Sequence, residues 1–199
     1  MWACFDFAIL VSCQHIVPVM PPDQTEGQFF ARNPLDVIAH AHAVQVRMCD
    51  AMERIADGLP GDIDHQLCAQ VATSLQYDLP LHHHDEENGL FPILKRCAQH
   101  DDGLDDILNR LAAEHCADTD LAAEIAENLE RLCADNRAAN PDMLGYMLRG
   151  FFERYRRHID WENTLVMPLA RLRLTRGDLE DLSALMENSR RKSTPSAGS

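Results

Sequence analysis

Two windows of the sequence share one pattern. The first is His82-His83-His84-Asp85-Glu86-Glu87-Asn88-Gly89-Leu90-Phe91-Pro92, and the second is His158-Ile159-Asp160-Trp161-Glu162-Asn163-Thr164-Leu165-Val166-Met167-Pro168. Both read H-x3-E-x5-P, with two apolar residues before the proline. With 10 histidines and 12 glutamates in 199 residues, random placement gives roughly 0.6 H-x3-E pairs. The chain has three, 82/86, 83/87 and 158/162, and the shared proline selects 82/86 as the counterpart of 158/162. An imidazole and a carboxylate one helical turn apart sit side by side on one face. Together they suit a transition metal such as iron, manganese or zinc better than calcium or magnesium.

The elements that must position these pairs are helical. Alternating Val, Ile and Thr runs are absent, and apolar residues recur at a period near 3.6. Helix one is expected from "NPLD", with Asn33 as cap and Pro34 in the first turn, to "DGLPG" at 57–61. Helix two begins near Asp62 or Asp64 and reaches about Cys97, with Pro80 bending or interrupting it. Helix three spans about Asp102 to Cys133, helix four about Pro141 to Leu174, and a shorter fifth helix about 176–188. The remainder, "RRKSTPSAGS", has the composition of a disordered tail. Long helices with short connections predict an all-α fold, an antiparallel up-down four-helix bundle with a short extra C-terminal helix. The expected organisation is an N-terminal extension over 1–33, the bundle over 34–170, and a short helix and tail over 171–199.

Helical register then sorts the polar residues. His82 and Glu86 continue the stripe Val71, Leu75, Leu79 and lead into Leu90, Ile93, Cys97; His158 and Glu162 continue Leu144, Met147, Leu148, Phe151, Tyr155 and lead into Leu165 and Leu169. Helix one places His42 on a stripe with Leu35, Ile38, Val46, Cys49 and Met52. Helix three places His115 with Leu104, Leu108, Leu111, Ala122, Ile125 and Leu129. His83 and Glu87 share a face with Ala72 and Gln76, so they are expected on the surface with His84, Asp85, His40, His65 and His100. Four imidazoles and two carboxylates therefore point into one apolar core. Two unpaired buried carboxylates cost several kcal/mol each, and no Lys or Arg on these stripes can neutralise them. A bound cation pair can. His42, His82, Glu86, His115, His158 and Glu162 are the expected metal ligands.

Bulk properties exclude other classes. A formal charge of −14 opposes nucleic acid and anionic membranes, because both need clustered Lys and Arg. The seven cysteines include no CxxC pair, which disfavours a zinc knuckle. Cysteines on apolar stripes point instead to reduced, core-filling thiols and a cytoplasmic setting. The first 20 residues contain Asp6 and no early Lys or Arg, so they do not fit a secretory signal, and Met20 is an alternative start.

The motif set resembles the hemerythrin-like family, the HHE cation-binding domain. "HHHDEENGLFPIL" and "RRHIDWENTLVMPLA" are close to its two H-x3-E helices, and the resemblance covers about residues 34–170. It implies a non-haem di-iron centre of two iron ions with an oxo or hydroxo bridge. Glu86 and Glu162 would bridge, His42 and His82 would bind one iron, and His115 and His158 the other. It also implies a small ligand, oxygen or nitric oxide, that the protein binds, senses or scavenges. The alternative is an enzyme-like role in peroxide detoxification or iron–sulfur cluster repair under oxidative or nitrosative stress. Oxygen-carrying members place another histidine one turn after the helix-three ligand. Here that residue is Thr119, expected on the inner face, and the substitution disfavours simple oxygen carriage. A metal-poor helical interaction module is the competing reading from another class.

Overall fold

The computed structural model describes residues 33–99, 103–135, 138 and 140–193. Five helices account for almost all of them, and no strand occurs among them. We number them α1 (Pro34–Gly58), α2 (65–97), α3 (Leu104–Asp135), α4 (141–173) and α5 (Arg176–Ser193). Each start has a chemical reason. Asn33 Oδ1 accepts from the Leu35 N–H at 3.0 Å, with Pro34 in the first turn. Asp64 accepts from the Leu67 N–H and Asn140 from the Met143 N–H, each at 3.0 Å. Thr175 and Asp178 exchange hydrogen bonds across the start of α5: Asp178 Oδ2 accepts from the Thr175 N–H at 3.0 Å, and Thr175 Oγ1 accepts from the Asp178 N–H at 3.3 Å.

α2 and α4 are not uniform α-helices. π-Helical turns interrupt α2 at Ser74–Asp78 and Glu86–Leu90, and α4 at Glu162–Val166. Each π turn ends two residues before a proline: Pro80, Pro92 and Pro168. Proline lacks an N–H and crowds the carbonyl four residues back. Widening the preceding turn by one residue accommodates both defects. Pro80 therefore does not interrupt α2, which passes through it by way of a π turn. The H-x3-E-x5-P pattern thus marks a helix that widens at the glutamate itself, in α2 and again in α4.

α1 packs chiefly against α4, and α2 chiefly against α3. Two apolar clusters fill the bundle. One contains Met52, Leu75, Ile125, Leu129, Phe151 and Tyr155. The other contains Leu35, Leu90, Phe91, Leu111, Val166 and Met186. The buried polar residues His42, His82, Glu86, His115, His158 and Glu162 are neighbours of both in sequence and belong to neither. α5 lies against α2 and α1. It extends to Ser193, five residues past the expected end, so Arg190 belongs to a helix rather than a tail; 194–199 lie outside the described residues.

No helix among the described residues is long and apolar enough to cross a membrane. Cys49 and Cys68 are buried free thiols, as expected of core-filling cysteines, but Cys116 is exposed and Cys97 and Cys133 are half-buried. Cys4, Cys13, His100 and the N-terminal readings fall outside the described residues.

Candidate metal centre

All six expected ligand residues converge. His42, His82, Glu86 and Glu162 place one donor atom each within 4.8 Å of one another, and His115, His158 and Glu162 form a second such group. Glu162 belongs to both. Its Oε2 lies 3.3 Å from His42 Nε2, and its Oε1 lies 3.0 Å from His158 Nε2. Glu86 spans the same divide: Oε1 lies 3.3 Å from His42 Nε2, and Oε2 lies 3.3 Å from His82 Nε2 and 3.5 Å from His115 Nε2. One carboxylate from each H-x3-E helix thus faces both imidazole pairs.

The far nitrogens of three imidazoles are held by oxygen acceptors. His42 Nδ1 donates to Asn163 Oδ1 at 2.8 Å, His115 Nδ1 to Glu87 Oε1 at 2.9 Å, and His158 Nδ1 to Glu114 Oε2 at 3.0 Å. These partners fix the rings and turn Nε2 toward the centre, as metal-ligating histidines require. His115 Nε2 and His158 Nε2 then meet at 2.9 Å. Two nitrogen lone pairs tolerate that approach only with a proton or a cation between them.

The electrostatics agree. Burial, then the neighbouring Glu162, push the Glu86 carboxyl well above its ordinary range. Burial also acts upward on Glu162, but His115 and His158 outweigh it and hold that carboxyl well below the usual range. Burial pulls His158 down, yet the bonds to Glu162 and Glu114 prevail and raise it to about 9. His82, fully enclosed, is lowered to about 3 by burial. In the chain alone, a proton on His158 serves where a cation would. It does not serve everywhere: His82 Nε2, Glu86 Oε2 and both Glu162 oxygens are buried without an aligned hydrogen-bond partner. Unsatisfied buried polar atoms cost roughly 1–3 kcal/mol each, more when charged. A cation pair satisfies all of them, so this donor set fits metal.

Several neighbours lie on other faces than a constant helical period assigns them. His83 is buried, not exposed. Its ring stacks on His115 with centroids 3.9 Å apart, and burial lowers it to about 2. The reason is the π turn at Ser74–Asp78: its extra residue rotates everything after it by about 100° and brings His83 onto the inner face. Asp85 is also buried, paired with Arg190 of α5 at 2.7 Å. The π turn at Glu162–Val166 does the same in α4, so Leu165 is exposed, while Val166 and Met167 are buried. In α1, Val46 is exposed and Gln45 is buried instead. Thr119 is exposed, and its hydroxyl donates to the His115 carbonyl at 2.8 Å rather than facing the centre. His84, His40 and Glu87 are on the surface as expected and His65 is half-buried, although Glu87 still reaches His115.

Sequence periodicity also missed the residues around the ligands. The Tyr155 hydroxyl donates to Gln45 Oε1 at 2.9 Å, and His83 Nε2 lies 3.3 Å from the Tyr155 hydroxyl oxygen. Burial, then Glu162 and Glu86, hold Tyr155 firmly as a phenol. Asp118 is fully buried and takes its charge partner, Arg154, from α4. Glu114 and Asn163 stand directly beside a predicted ligand in sequence; that adjacency was the only available signal, and their partners lie on other helices.

The family model described as the hemerythrin HHE cation binding domain matches residues 33–170. No curated protein matches the chain. The matched stretch runs from the cap of α1 to the last turns of α4 and contains every donor described above. The protein therefore belongs to the hemerythrin family of HHE cation-binding domains.

Proposed function

We propose that the protein holds two iron ions and uses them to bind oxygen or nitric oxide, as a sensor or scavenger. His42 and His82 would hold one iron, His115 and His158 the other, and Glu86 and Glu162 would bridge. The observation that carries this reading is the pair of buried glutamates, each facing both histidine pairs, with three of their four oxygens lacking an aligned hydrogen-bond donor. Iron held there supplies redox electrons and a Lewis-acidic position for a small ligand. The chain contributes the rest. Asn163, Glu87 and Glu114 orient the imidazoles, and the apolar clusters keep bulk water away. Free buried thiols at Cys49 and Cys68 accord with a cytoplasmic setting. The test is an absorption spectrum of iron-loaded protein, reduced and oxidised, with azide and nitric oxide added. The reading expects ligand-dependent bands in the near ultraviolet and visible; spectra indifferent to both ligands overturn it.

One observation favours the second reading, peroxide turnover. Thr119 turns away from the centre, and the His115–His158 side gathers fewer protein donors than the His42–His82 side. A surface groove of about 390 Å³ beside it is lined by His83, Glu87, His115, Cys116 and Thr119. Steady-state peroxide consumption by the iron-loaded protein separates this reading from ligand binding alone.

A further inference from the structure

α5 lies outside the matched domain, yet it is firmly seated. Leu182 is fully buried beside Gly89, where an added Cβ would come within 2.8 Å of its Cδ1. Arg190 grips Asp85 with both terminal nitrogens and also donates to the Met186 carbonyl at 2.7 Å. Seated in this way, α5 walls a cavity of about 200 Å³ against α1 and α2. Ile38 and Val44 come from α1, Leu81 from α2 and Met186 from α5, and Gln45 and His82 share the lining. Ile38, Gln45, His82 and Met186 are all buried. The cavity therefore reaches from the outside of the bundle to a histidine of the candidate centre.

Its chemistry selects the occupant. The space is below the range of roughly 300–1,000 Å³ that organic ligands occupy, but ample for a diatomic molecule. Asp78 and Asp85 stand in its wall, and the chain carries a net charge of −14, so anions are repelled. The guanidinium of Arg190, the one cation side chain among its lining residues other than histidine, is engaged by Asp85. We propose that this cavity is a holding site for a small uncharged ligand of the diatomic-gas class on its way to the metal pair, and that α5 sets its access. The destination rests on the iron-pair reading; the cavity does not.

Two arms separate these. In crystals of the full-length chain pressurised with xenon, which fills small apolar cavities, the proposal expects a xenon atom in contact with Met186 and Ile38. It expects none in Ala41→Phe, which fills the space from α1. Absence of xenon from the wild-type cavity overturns the proposal whatever the metal content. In the second arm, nitric oxide association with iron-loaded protein is followed by stopped flow. Ala41→Phe should slow association by roughly tenfold, the scale of one added barrier, whereas Met186→Ala should accelerate it, with iron content and melting temperature of both variants checked first. Rates unchanged in both folded variants overturn the route. Failure of the wild type to bind nitric oxide at all overturns the functional reading, while the xenon result still decides the cavity.

Discussion

Arg190→Ala should destabilise the protein far more than loss of a surface charge. The Asp85 side chain is 3% exposed and that of Arg190 27% exposed, and the carboxylate meets Nη2 at 2.7 Å and Nη1 at 3.3 Å. Burial alone pushes the Asp85 carboxyl upward, and the guanidinium opposes it. Removing one partner of a buried pair leaves the other charge uncompensated, which costs about 3–5 kcal/mol. Arg190 keeps a quarter of its surface in water, so the lower end, about 3 kcal/mol, applies. At 2–4 °C per kcal/mol for a chain of this size, the melting temperature falls by about 6–12 °C. The double variant Asp85→Leu/Arg190→Met removes both charges and should recover most of that loss, because an apolar replacement of the whole pair is close to neutral. The assay is thermal unfolding by circular dichroism at matched metal content. A single variant within about 2 °C of wild type, or a double variant as unstable as the single, refutes the reasoning.

Three further outcomes follow from packing and electrostatics. Gly89→Ala should destabilise the wild-type background, where its Cβ meets Leu182 at 2.8 Å, but should stabilise a Leu182→Ala background, where only the helix-propensity gain of about 1 kcal/mol remains; unfolding of the wild type and the three variants in denaturant reads the sign change. In the metal-free chain His158 holds its proton up to about 9 and Glu86 is shifted upward. Ligation needs both groups deprotonated, so metal uptake at neutral pH releases protons and affinity rises with pH through that range. Calorimetry in two buffers of different ionisation enthalpy should give different heats, and equal heats contradict it. Cys49 and Cys68 are pushed up to about 12 by burial, whereas Cys116 is exposed. A thiol reagent at about pH 8, where thiolate controls reactivity, should label Cys116 while sparing the other two, as peptide mapping will show.

The six ligand positions were legible because two signals agreed. Helical period placed each residue on an apolar stripe, and the repeated H-x3-E-x5-P pattern chose between His82 and His83. The proline was useful for a reason that its sequence position does not disclose: it marks a π turn that begins at the ligand glutamate. The same kind of turn, at Ser74–Asp78, hid His83. A constant period takes no account of an inserted residue, so the faces it assigns beyond the insertion are rotated; Leu165 is exposed for the same reason. Asn163, Glu87 and Glu114 were illegible because their partners lie on other helices, and period describes one helix at a time. Asp85 and Arg190 meet only when α5 folds back on α2, a long-range contact that local composition, reading the end of the chain as tail, did not contain.

Metal content of the chain purified after iron loading, set beside that of His82→Ala/His158→Ala, tests the central claim most directly. One ligand is removed from each half of the centre while both bridging glutamates remain. The account predicts about two iron ions per wild-type chain, the stoichiometry of a bundle-core carboxylate–histidine site, and little or none in the double variant. Iron absent from the wild type, or equal in the two proteins, would contradict it.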